Sequence, residues 1–193
     1  MSSHHFVREG QEPALLVIDA IADDHLMSLL EWSPLVMVTS DALSKVATWG
    51  IRVDVVLVEK SAHIPIVMQH TSYIGHATIV NVTSGLADAV LDHLQSLRQH
   101  TLHVLVESAD MHFARWESGR LQIILIDERL RWSRIMTGRF EKWFPEKETL
   151  HIHADQSWEV TGASGDNTQI ETDRPGLVTI RSSGPFWVGE YHR

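Results

Sequence analysis

The chain contains no cysteine in its 193 residues. That removes disulfides, thiolate metal sites and thiol nucleophiles. No apolar run approaches the ~20 residues a membrane span needs. The opening Met1-Ser2-Ser3-His4-His5 does not read as a signal peptide. Basic residues are scarce: 16 Lys+Arg face 25 Asp+Glu, a net charge of −9. Nucleic-acid binding needs clustered Lys and Arg, so general binding of that kind is excluded. Also absent are a G-x-x-x-x-G-K-[ST] phosphate loop and a G-x-S-x-G nucleophile turn. Internal repeats and low-complexity tracts are missing too. The reading is a cytoplasmic protein with neither a nucleic-acid nor a membrane partner.

What is present is ordinary globular material, 44% apolar and 21% charged. Such a chain buries roughly 70% of its unfolded surface. Its first two thirds alternate apolar runs of strand length with helical patterns. Ala14–Ile18, Leu35–Thr39, Val53–Val58, Ile64–Met68, Ala77–Val82 and Leu102–Val106 read as strands. Between them, Asp24 caps a helix carrying Leu26, Leu29 and Leu30, and Ser40 or Asp41 caps one carrying Leu43, Val46 and Ala47. A third helix runs from about Leu86 to Leu97. Continuous apolar strands separated by helices predict an open, mostly parallel α/β sheet of Rossmann-like, doubly wound type.

After about Leu121 helical periodicity stops. Strand-like pieces follow at 121–126, 130–136, 140–144, 150–153, 158–161, 169–172, 177–181 and 186–190, separated by turn clusters. This spacing predicts an antiparallel β-sandwich. The expected domains are 1–127 and 128–193. The first holds 7 Lys+Arg against 15 Asp+Glu, net −8; the second holds 9 against 10, net −1.

Several segments resemble the thiamine pyrophosphokinase family over essentially the whole chain. They are His4 to Leu16, Leu30-Glu31-Trp32-Ser33-Pro34, Asp41 to Leu57, Arg139 to Pro145, and Gly176–Ile180 with Glu190-Tyr191-His192. The resemblance implies an ATP-binding α/β domain followed by a β-sandwich that binds thiamine and pairs two copies. It also implies diphosphate transfer from ATP to the thiamine hydroxyl. Such a transfer rests on positioning and on Mg²⁺ held by carboxylates. In the family those carboxylates stand in DGG-like, GDFD-like and KTD-like turns at strand ends.

Carried over residue by residue, these turns are degenerate. The first Asp falls on Ser40 and the following Gly on Asp41. In the second turn Gly falls on Val58, the Asp residues on Glu59 and Ser61, and the aromatic on Lys60. In the third, Lys falls on Thr83, Thr on Ser84 and Asp on Gly85. Asp110 matches the Asp of an RxDH-like segment, with Ser108 and Met111 in place of its Arg and His. Asp19-Ala20 stands where the family has Asn-Gly near the nucleotide. The thiamine-side GLxYPL and Ser-Asn segments have no match. Residual catalytic carboxylates would be Asp41, Glu59 and Asp110, with Asp41 and Glu59 as residual Mg²⁺ ligands.

Three functions are therefore expected. The first is a family-like protein that is catalytically impaired or non-catalytic and binds a small molecule or a protein partner. The second is an active thiamine diphosphokinase using the displaced carboxylates with Mg²⁺ and ATP. The third is a structural homodimer, paired through the sandwich and needing no cofactor. Other signals read more simply. His151-x-His153 and His100-x-x-His103 lack a third ligand nearby in sequence. Asp54 and Lys60 read as features of strand ends. Trp132, Trp143, Trp158 and Trp187 read as packing residues or a platform for a flat ligand.

Overall fold

A computed structural model of the chain describes residues 12–19, 23–31, 35–60, 63–70, 72–116 and 121–192. The chain divides into two compact units, to Ile123 and from Ile124. The resemblance-bearing stretches 4–11 and 32–34, together with Ala20 and Ser61, lie outside the described residues.

The first unit begins β1 (Ala14–Val17), α1 (Asp23–Leu30), β2 (Val36–Thr39), α2 (Leu43–Thr48) and β3 (Val55–Val58). It continues α3 (Ile64–Gln69), β4 (Thr78–Asn81), α4 (Leu86–Ser96) and β5 (Thr101–Leu105). The strands lie in the order β5-β1-β2-β3-β4, and every pair is parallel. β1, β2 and β3 are buried at every residue. That is why they read as unbroken apolar runs rather than as alternating ones. β4 is the exception, an outermost strand with Ile79 45% exposed.

Local chemistry sets the boundaries. Gly50, at φ +68°, follows α2. Just before β3, the Asp54 carboxylate accepts the Val36 N–H at 3.0 Å and pairs with Arg52 at 2.8 Å. Its role is therefore to tie β3 to the start of β2. The stretch Ile64–Met68, predicted as a strand, is helix α3. Its β-branched residues suggest a strand, but Pro65 fits the first turn of a helix, where no N–H is needed. Only one face of α3 is covered: Val67 is buried, while Ile64 and Met68 are exposed.

The second unit is antiparallel throughout. Its strands are β6 (Gln122–Ile126, whose first two residues belong to the first unit), β7 (Leu130–Ile135), β8 (Arg139–Phe144), β9 (Thr149–His153), β10 (Trp158–Thr161), β11 (Ser164–Gly165), β12 (Gln169–Glu171), β13 (Gly176–Ser182) and β14 (Phe186–Tyr191). One set runs β6-β7-β14-β9-β12-β11, and a separate three-stranded sheet runs β10-β13-β8. Both contribute to one core: Leu150, Ile152, Ile170, Phe186 and Val188 meet Phe140, Phe144, Val178 and Ile180. Asp127 organises the turn into β7. Its carboxylate accepts the N–H groups of Arg129 and Leu130 at 2.9 and 2.8 Å and the Trp132 indole N–H at 3.0 Å. Gly189 lies under the Trp132 ring, where a Cβ would come within 2.9 Å. No helix among the described residues is long and apolar enough to cross a membrane.

Candidate functional site

In a parallel sheet all strands end along one edge, and open α/β folds bind ligands there, where strand order reverses. In the first unit the reversal lies between β1 and β5, since β2, β3 and β4 follow β1 on its other side. Beyond β1, the Ile18 and Asp19 N–H groups both donate to the Leu105 carbonyl, at 3.1 and 3.3 Å. The Asp19 carboxylate accepts the Glu107 N–H at 3.1 Å and stands 3.8 Å from His112 Nε2. His112 is buried, and its Nδ1 has no hydrogen-bond partner among the described residues. Burial pushes its pKa below the ordinary histidine value, nearby Arg115 adds to this, and Asp19 opposes both. A backbone N–H that could face an anion is thus already held by a carboxylate.

A second constellation joins the ends of β2 and β3. Ser40 continues the ladder, its N–H donating to the Leu57 carbonyl at 2.8 Å. Its buried Oγ lies 2.9 Å from His63 Nδ1, and Asp41 Oδ1 lies 2.8 Å from the same nitrogen. A carboxylate only accepts, so Nδ1 carries the proton and donates it. Both partners share Nδ1, which differs from a serine-hydrolase triad, where serine and carboxylate take opposite ring nitrogens. Further along α2, Ser44 Oγ lies 3.2 Å from His70 Nε2.

No protein-family model matches the chain, and no curated protein sequence matches it. Solved structures do. The thiamin pyrophosphokinase of Geobacillus thermodenitrificans superposes with a TM-score of 0.67 at 10% identity, over 93% of this chain and 97% of that one. The Bacillus subtilis thiamine pyrophosphokinase gives 0.65 at 11% identity, over 94% and 100%. The Candida albicans protein gives 0.62 at 8% identity, over 94% and 90%. The chain has the thiamine pyrophosphokinase fold.

On this fold the residues singled out from sequence take definite places. Asp41 is exposed but engaged by His63. Glu59 is exposed, just beyond β3, with no hydrogen bond or ion pair to any described residue. Asp110 is exposed in a short 3-10 turn, Ala109–Met111. Val58 is buried in the core. Thr83 is exposed, and Gly85 adopts φ +119°, ψ 147° before α4. Among the described residues no group of three His, Asp or Glu side chains could hold a metal ion. Mg²⁺ takes about six oxygen ligands in near-octahedral geometry. Of the two carboxylates named for it, Asp41 already accepts from an imidazole. These residues do not fit the ion that the resemblance implies.

His63 is the residue sequence reasoning missed. Its only signal is its place four residues after Glu59, and its partners arrive through strand pairing. Of the paired histidines, His100 and His153 are exposed, His103 is buried and His151 is half-buried. His151 Nε2 lies 3.3 Å from the Tyr191 hydroxyl, and its ring meets Tyr191 and Trp132 edge-on. Burial, then Arg129, lowers its pKa, against Asp127. Among the tryptophans, Trp132 and Trp187 are buried, Trp158 packs on the sandwich core, and Trp143 is 61% exposed.

Proposed function

We propose that this chain is a divergent, cytoplasmic member of the thiamine pyrophosphokinase family that has lost diphosphate transfer and acts by binding a small molecule or a protein partner. One observation carries the reading: Asp19 holds the Glu107 N–H at the strand-order reversal, placing a negative charge where a nucleotide phosphate would approach. The bond of Asp41 to His63 and the positive φ of Gly85 support it. Losing one metal ligand or charge clamp costs several kcal/mol of transition-state stabilisation, and about 1.4 kcal/mol is tenfold in rate.

The test is AMP release from thiamine, ATP and Mg²⁺, together with thermal unfolding in Mg-ATP, ADP, AMP or thiamine. A ligand at 100 times its Kd adds about 2.7 kcal/mol. Background turnover and no nucleotide shift are expected. The second reading, an active kinase using Asp41, Glu59 and Asp110, draws on Glu59 and Asp110 being exposed. Turnover that vanishes in Glu59→Gln would establish it. Pairing of two copies through the second unit belongs to both readings, and sedimentation equilibrium tests it. A homodimer that responds to no ligand would favour a purely structural role.

A further inference from the structure

The outward face of the β10-β13-β8 sheet carries a depression of about 240 Å³ lined by Glu159, Thr161, Thr179 and Arg181. The register explains it. Glu159 stands directly opposite Arg181, and Thr161 directly opposite Thr179. The β13 residue between Thr179 and Arg181, Ile180, points into the core. Short hydroxyl side chains thus floor a hollow that two long, oppositely charged ones flank.

Opposite charges at directly paired strand positions ordinarily attract each other. Here Glu159 and Arg181 form no ion pair with each other, and the space between them stays open. The neighbouring charges are already committed. On β8, Arg139 stands directly opposite Arg181 and is bonded to Glu141. Glu141 also lies 3.5 Å from the Thr179 hydroxyl. Arg181 therefore stands beside a second guanidinium, and the Glu141 carboxylate, whose charge it also feels, is shared with Arg139 and the Thr179 hydroxyl.

We propose that this depression binds a small zwitterion of the α-amino acid class, its carboxylate on Arg181, its ammonium on Glu159 and the two threonine hydroxyls beneath. The charge pattern decides the class. An anion such as phosphate meets Glu159 as well as Arg181, and a simple amine meets Arg181 as well as Glu159. A molecule carrying both charges satisfies both. Residues 128–193 hold 9 Lys+Arg against 10 Asp+Glu, so no strong net field selects an ion of one sign. The volume is below the ~300–1,000 Å³ of drug-sized pockets and suits a ligand the size of glycine or alanine.

The experiment is a ¹⁵N NMR titration of the full chain with L-alanine, to on the order of 50 mM, since an exposed site of this kind binds in the millimolar range. Saturable shifts of the amides at 159–161 and 179–181 are expected. Sodium acetate, methylammonium chloride and inorganic phosphate at matched ionic strength should not produce them. Glu159→Gln and Arg181→Gln should each weaken alanine binding about fivefold to tenfold. Both positions are exposed, and an unchanged spectrum elsewhere shows the fold intact. The double reversal Glu159→Arg with Arg181→Glu should restore binding, because the ligand can turn round. No saturable shift with alanine, an equal shift with acetate or methylammonium alone, or undiminished binding in Arg181→Gln would overturn the proposal.

Discussion

In the first unit β1, β2 and β3 bury every side chain, whereas in the second unit β8, β10 and β12 turn half or more of theirs outward. The difference governs where chemistry can reside. A strand buried on both faces offers a ligand only its end, so function in the first unit is confined to turns. Turn residues such as Glu59 and Thr83, both exposed, can change without disturbing the core beneath them. A sandwich strand instead presents an outer face along its length, as Glu159, Thr161, Thr179 and Arg181 do. The first unit can therefore lose a site and keep its fold, and the second can gain one on a face that packing leaves free.

The largest test of this contrast is truncation inside each core. Leu16→Ala in β1 and Phe144→Ala in β8, both fully buried, should cost about 3–5 kcal/mol in chemical denaturation. Near-zero cost at Leu16 would remove the reason for confining function to the turns. Next comes Asp127→Ala in the second unit. It strips acceptors from two backbone N–H groups and an indole, and a loss of about 2 kcal/mol is expected.

A smaller effect is a pH dependence centred on the first unit. Burial and Arg115 lower the His112 pKa, against Asp19, so the folded state prefers the neutral ring. Its contribution is complete above the ordinary value of 6.5 and is lost as pH falls below that. The slope is at most about 1.4 kcal/mol per pH unit for one proton. His93 and His151, also lowered chiefly by burial, act in the same direction. Denaturation midpoints between pH 8 and 5 should flatten in His112→Asn; an unchanged slope would assign the dependence to the other two. Smallest of all, Ile79→Ala on outermost β4 and Glu59→Gln beyond β3 should each stay within about 0.5 kcal/mol of the parent. A larger loss at Ile79 would show that β4 is covered in solution.

Much of this arrangement is legible in the amino-acid order alone. The runs Ala14-Leu15-Leu16-Val17 and Val36-Met37-Val38 announce buried parallel strands because nothing polar interrupts them. The strands after Leu121 are legible from their turn clusters. Helix α3 is not, because Ile64 and Val67 favour strands and the helical cue is a single proline. For the candidate site, the departures from the family's carboxylates that the resemblance implies at Ser40, Ser61 and Gly85 are visible in the letters. The partners of the remaining ones are not. His63 reaches Asp41 through the β2–β3 pairing of Thr39 with Leu57. Asp19 reaches Glu107, 88 positions away, because β1 lies beside β5. Strand order is a tertiary outcome, and no local pattern encodes it.

Gly85 limits what its own position can hold. Its φ of +119° with ψ 147° is a backbone state open essentially to glycine alone, and a side chain there costs about 1–3 kcal/mol. Any side chain placed at this one position, an aspartate included, would require the main chain before α4 to be rebuilt around it, so the turn resists substitution on backbone grounds alone.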